Sequence, residues 1–259
     1  MLDAEARCDR TLALSRDPVQ FPRSFRDADD RALAAMLSAL LAFGQVETIR
    51  AKLTVLFAHL GPSPAVTARD VPLDVLVARL AGFRHRTFRG TDIARLVNAA
   101  GQIIARDGSL FAPLERAFAK SGSLREALVV FTDELRTLAW PLGADRAARH
   151  LVPDPRGASA CKRLALLMRW VVRPDDGVDL GIANLPTHAL IVPLDVHVHR
   201  VARSLGFTRR ATASWRAAEE VTDALRSLDA SDPVRFDFAL CHVEIEAFRA
   251  RRKQRAADG

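Results

Sequence analysis

Residues 157–207 read GASACKRLALLMRWVVRPDDGVDLGIANLPTHALIVPLDVHVHRVARSLGF, and Lys162 and Asp195 carry the chemistry of that stretch. Ser159 suits a helix N-cap, and Leu164, Leu167, Met168 and Val171 then recur at helical spacing. Lys162 falls in the first turn of that helix, where partial positive charge, with Arg156 and Arg163 nearby, biases its amine towards the neutral, nucleophilic form. Val198, Val201, Ala202 and Leu205 form a second helical face, which Gly206 ends. Asp195 stands at the N-cap of that helix, a place that keeps a carboxylate ionised.

The remainder of the 259 residues reads as almost entirely helical. Apolar residues recur at three and four, and alternating runs are scarce. After a short helix in 1–14 and a Pro-punctuated link, Asp29 and Asp30 open an apolar helix that Gly44 ends. Further helices start at about Val46, Pro72, Thr91, Ser123 and Asp145, then at Ser214 and at Pro233. The final RARRKQRAADG reads as a disordered basic tail.

Lys and Arg number 38 against 31 Asp and Glu, a net charge of +7, and almost all of the cations are Arg. Nucleic acid is the commonest specific partner of such a balance. Cys8, Cys161 and Cys241 make no disulfide framework and too few thiolates for an iron–sulfur cluster, so a reducing cytoplasm is expected. The N-terminal MLDAEARCDR lacks an apolar signal core, and no apolar run approaches a membrane span.

Three blocks in order resemble the helix-hairpin-helix DNA glycosylase superfamily, of which endonuclease III is a member. LSALLAFGQVETIRAKL is similar to the segment carrying that family's gap-filling glutamine, here Gln45. LAGFRHRTFRGTDIARL is similar to its wedge loop, with Phe83 at the wedge and Arg84 and Arg86 beside it. PLDVHVHRVARSLG resembles the block of its catalytic aspartate, here Asp195, and Lys162 takes the place of its Schiff-base lysine. SACKRLALLMRWVVRPDDGVDLG and DPVRFDFAL look more closely like a bacterial family of uncharacterised glycosylase-like proteins.

The resemblance implies an all-α, two-domain architecture without an iron–sulfur cluster. Residues 28–190 would hold the wedge loop and hairpin, and 1–27 with 191–259 the second domain. It implies a monomeric, nucleoid-associated DNA N-glycosylase with AP lyase activity, without cofactor or metal. Its partner would be double-stranded DNA containing a damaged base, with an oxidised purine such as 8-oxoguanine favoured through an archaeal relative of similar Lys-to-Asp spacing. Arg156, Gly157 and Arg163 would bind the backbone, and Phe236 and Asp237 would line the base pocket. The hairpin LVPDPRGASACKR keeps only Gly157 of the family's glycines.

Two other readings stay open. Asp195, His197 and His199 resemble the ligand set of a metal-dependent hydrolase, although i and i+2 on a helix point about 200° apart. The basic charge also fits a non-catalytic nucleic-acid-binding protein.

Overall fold

A computed structural model describes residues 17–241. The expected helix in 1–14 and the basic tail lie outside the described residues.

The described chain is built of helices joined by short links. They run α1 (Gln20–Arg23), α2 (Ala28–Leu41), α3 (Val46–Leu60), α4 (Pro64–Asp70), α5 (Leu73–Arg79), α6 (Gly90–Asp107), α7 (Ala112–Ser121), α8 (Leu124–Ala139), α9 (Arg146–Leu151), α10 (Lys162–Val172), α11 (Val196–Ser204) and α12 (Trp215–Arg226). A two-stranded antiparallel ribbon, β1 (Arg84–His85) and β2 (Phe88–Arg89), sits before α6, with Arg84 opposite Arg89 and His85 opposite Phe88. Short 3₁₀ turns occupy Thr187–Ala189 and Pro233–Phe236, and residues 237–241 are helical.

Five helix starts follow from a capping side chain. Asp27, Ser123, Asp145, Asp195 and Ser214 each accept from backbone N–H groups of the following turn. Helix α10 differs from expectation. Its N-cap is Cys161, held at φ 47°, and the Ser159 hydroxyl instead accepts from the Cys161 N–H at 3.2 Å. Helices α4 and α7 were not expected; both start beside a proline, which reads in sequence as a break but suits a first helical turn.

Helix α2 is the spine. Ala32–Ala35, Met36, Leu37 and Ala39–Leu41 are all buried, which requires neighbours on every side. It packs against α1, α4 and α10. Buried Asp30 accepts from the Ala65 N–H at 2.7 Å and so pins the start of α4. Helix α6 crosses α4 at Gly101, where a Cβ would lie 2.0 Å from the Ala68 carbonyl oxygen. One continuous cluster of buried apolar side chains runs from Val19 to Leu240.

The segment between α10 and α11 decides where Asp195 falls. It folds back along α10: the Leu180 N–H donates to the Trp170 carbonyl at 2.7 Å, and the Ile182 and Ala183 N–H groups donate to that of Val171. The apolar run Leu190–Leu194 is then buried, with the Val192 N–H donating to Thr222 Oγ1 at 3.0 Å. Asp195 follows directly and starts α11 beside the first turn of α10.

Candidate functional site

Lys162 and Asp195 are brought together across 33 positions of sequence. Lys162 Nζ donates to Asp195 Oδ2 at 2.8 Å. The other carboxylate oxygen, Oδ1, accepts from the N–H groups of His197 at 2.9 Å and Val198 at 2.8 Å. One carboxylate thus caps α11 and binds the lysine, with neither oxygen left idle. The side chains remain accessible, 41% exposed for Lys162 and 27% for Asp195. They open into a cleft of about 660 Å³ whose walls include Phe43, Gly44, Arg149, His150 and Val196.

The electrostatics correct the neutral-amine expectation. Burial alone would lower the Lys162 pKa, yet the charge of Asp195 and the hydrogen bond to it hold it above the ordinary lysine value. Burial would raise Asp195, but Lys162 and the two backbone donors bring it below the ordinary carboxylate value. The resting pair is ammonium and carboxylate. Helix-end and arginine effects lose to an opposite charge in direct contact.

The remaining expected residues divide. Gln45, Arg84 and Arg86 are exposed, and Gln45 adjoins Gly44 at the cleft. Arg156 is half exposed and paired with Asp133 and Asp154. Gly157 is exposed, and its carbonyl accepts from Arg125 at 3.3 Å.

Phe83 is not an exposed wedge. It is 4% exposed, because the turn in which its N–H donates to the Leu80 carbonyl packs the ring into the core. Arg163 is not a surface phosphate ligand either. Its guanidinium is buried and donates to the carbonyls of Leu40, His150 and Leu151, closing the C-terminal ends of α2 and α9. Burial pushes its pKa down to about 10.

Phe236 and Asp237 are also buried, and neither lines the Lys162 cleft. Asp237 accepts from Arg169 Nη1 at 2.6 Å within a buried cluster that also holds Asp179 and Arg173. Trp140, Trp170 and Trp215 are core residues, and Cys161 is a buried thiol whose pKa burial raises.

Helix α11 turns His197 outward and His199 inward, so the two imidazoles do not converge with Asp195. No group of three or more His, Cys, Asp or Glu among the described residues is placed to hold a metal ion. No helix among them is long and apolar enough to cross a membrane.

Sequence reasoning passed over Phe43, Arg149 and His150. Phe43 lies in the same α2–α3 turn as Gln45, and its aromatic ring beside a glycine was the available signal. The Phe43 and His150 rings meet edge-on, with centroids 4.9 Å apart.

No curated protein and no solved structure matches the chain. One family model does, over residues 17–246, a span that takes in both Lys162 and Asp195. The chain belongs to the family described as a protein of unknown function (DUF2400).

Proposed function

We propose that the protein is a DNA N-glycosylase with AP lyase activity that removes a damaged base, an oxidised purine being favoured, as a step of base excision repair. The observation that carries this reading is the Lys162–Asp195 contact of 2.8 Å in an open cleft. A buried pair of this kind would be structural. This one faces solvent beside Arg149, and both partners start a helix. The two-domain glycosylase arrangement, with Lys162 and Asp195 on opposite sides of an interdomain cleft, belongs to the same reading. So do a monomeric state and a nucleoid-associated, cytoplasmic location.

The pair suits the reaction as it stands. Loss of the base breaks the C1′–N bond, and the electron pair leaves with the base. The Lys162 ammonium gives its proton to the departing base and becomes the amine. Positive charge on the sugar is balanced by the Asp195 carboxylate, as carboxylates do in glycoside hydrolysis. The amine lone pair then bonds to C1′, and ring opening with loss of a proton from nitrogen gives the Schiff base. Loss of a 2′ proton next expels the 3′ phosphate, and water releases the sugar from the lysine.

The test is borohydride trapping on duplexes carrying an abasic site or an oxidised purine. Wild type should form a covalent adduct, and Lys162→Ala should form none while unfolding near the wild-type midpoint. An undiminished adduct in Lys162→Ala would remove the lysine assignment.

A further inference from the structure

Beside the Lys162–Asp195 cleft lies a larger cavity of about 1030 Å³ to which the proposed chemistry gives no task. Phe43 and His150 line both hollows, so their two rings, set edge to face, stand where the hollows meet. His150 is exposed. The Arg86 guanidinium lies 4.4 Å over the Phe43 ring, and Arg86 itself sits at the ribbon tip at φ 54°. Arg146 adds a second cation to the cavity wall. The one carboxylate there, Asp145, is committed to the first turn of α9, where it accepts from the Ala148 N–H at 2.8 Å. Partial burial of the ring, with Arg163, Arg86 and Arg146 near by, lowers the His150 pKa below the ordinary imidazole value.

An aromatic pair with a stacked guanidinium and a cationic wall suits a planar uncharged ring that carries a phosphate, which is a nucleotide. Two such hollows meeting at one aromatic pair suit two successive nucleotides. The ribbon supports the same conclusion from another side. Its exposed residues, Arg84, Arg86, Thr87 and Arg89, can grip phosphates, while the rings of Phe83 and Phe88 are buried and cannot part a base stack.

We infer that the substrate is a locally unpaired stretch of DNA, in which the damaged nucleotide enters the Lys162 cleft and its neighbour on the same strand enters the second hollow, its base stacking on the exposed His150 ring and so standing edge-on to Phe43. This rests on the proposed glycosylase reading and names the substrate class of that site. Extruding a base is easiest where pairing is already lost, and stacking on aromatic rings tolerates any base.

The experiment compares binding of two undamaged probes at one salt concentration: a short, fully paired duplex and the same duplex with a central bubble. Wild type should bind the bubble roughly tenfold more tightly, the scale of one base stacked on an aromatic ring. Phe43→Leu keeps apolar packing without the ring, and His150→Ala alters an exposed side chain. Each should lose most of the bubble preference, read as the ratio of the two affinities, with unfolding midpoints close to wild type.

Equal affinity for the two probes, or a preference for the paired one, would overturn the inference and turn attention to Leu142, fully exposed on the α8–α9 turn. An undiminished bubble preference in both variants would overturn it as well. Trapping on a bubble with an abasic site reads Lys162 separately. Bubble preference without an adduct leaves the unpaired-DNA site and removes the lyase chemistry. An adduct without the preference does the reverse.

Discussion

Of the three cations on helix α10, Lys162 and Arg169 lie two turns apart and live in opposite surroundings. Lys162 meets one carboxylate at the mouth of a cleft, with both partners accessible. Arg169 is 2% exposed; Asp237 accepts from it at 2.6 Å, and Asp179 lies 3.6 Å away and is itself fully buried. Burial pushes both Asp179 and Asp237 above the ordinary carboxylate range against the pull of Arg169. The first pair can be opened by a ligand that offers something better than water. The second cannot be opened without stranding charge in the core. One helix therefore separates a group that can react from a group that holds the segment delivering its partner, because Asp179 belongs to the connection that leads to Asp195.

The sharpest break in this comparison is removal of one member of the buried cluster. Asp237→Ala leaves Arg169 without its closest carboxylate, and loss of one partner of a buried pair costs about 3–5 kcal/mol. Chemical denaturation should show that loss for Asp237→Ala and for Arg169→Met. If either variant unfolds at the wild-type midpoint, the cluster is not what holds α10 and the following segment together.

Next comes the accessible pair, read by activity. Asp195→Asn keeps an oxygen to cap α11 but removes the charge, so stability should change little. Base excision should fall by roughly 10²–10³, the scale of one preorganised charge or donor that stabilises a transition state. Single-turnover rates on a lesion panel measure this. Wild-type rates in Asp195→Asn would reduce Asp195 to a helix cap.

A smaller contrast separates the surface arginines from the buried one. Arg86→Gln should reduce the salt slope of DNA binding by about 1 at unchanged stability. Arg163→Gln should instead lower stability, because the carbonyls at the ends of α2 and α9 lose their donor. A titration across salt concentrations together with an unfolding curve separates the two effects.

These contrasts also mark what the sequence could carry. Helices with a capping residue or a sustained 3.6-residue period were legible: Asp195, Ser214 and the Val46 start fall where pattern placed them. The meeting of Lys162 and Asp195 was legible only through resemblance. Its charge state was not, since the helix end and arginines lie beside Lys162 in sequence while the deciding carboxylate comes from a distant position. Phe83 misled because Arg84 and Arg86 frame it as a surface loop, whereas the turn back to Leu80 buries it. Arg163 misled for the opposite reason. A charged residue next to Lys162 reads as surface, yet three helix-end carbonyls supply it with an interior site. Adjacency in sequence says little about direction on a helix, where neighbours point about 100° apart.

The smallest effect belongs to the Lys162–Asp195 pair as a source of stability. An accessible ion pair is worth about 0.2–1 kcal/mol, so Lys162→Met should shift the unfolding free energy by no more than that at neutral pH. Its pH dependence has a definite sign. The folded-state pKa of Asp195 is lowered, so its share is present above the ordinary carboxylate value of 3.8 and is lost as pH falls through the lower folded value. That of Lys162 is raised, so its share is complete below the ordinary lysine value of 10.5 and is lost as pH rises through the higher folded value. The difference between wild type and Lys162→Met should therefore be flat across neutral pH and shrink only towards the acid and alkaline ends. Denaturation curves at several pH values test this directly. A difference that changes steeply around neutral pH would mean that Lys162 titrates there, as a neutral-amine nucleophile would. In the proposed reaction the lysine would then rest ready to attack, not ready to protonate the departing base.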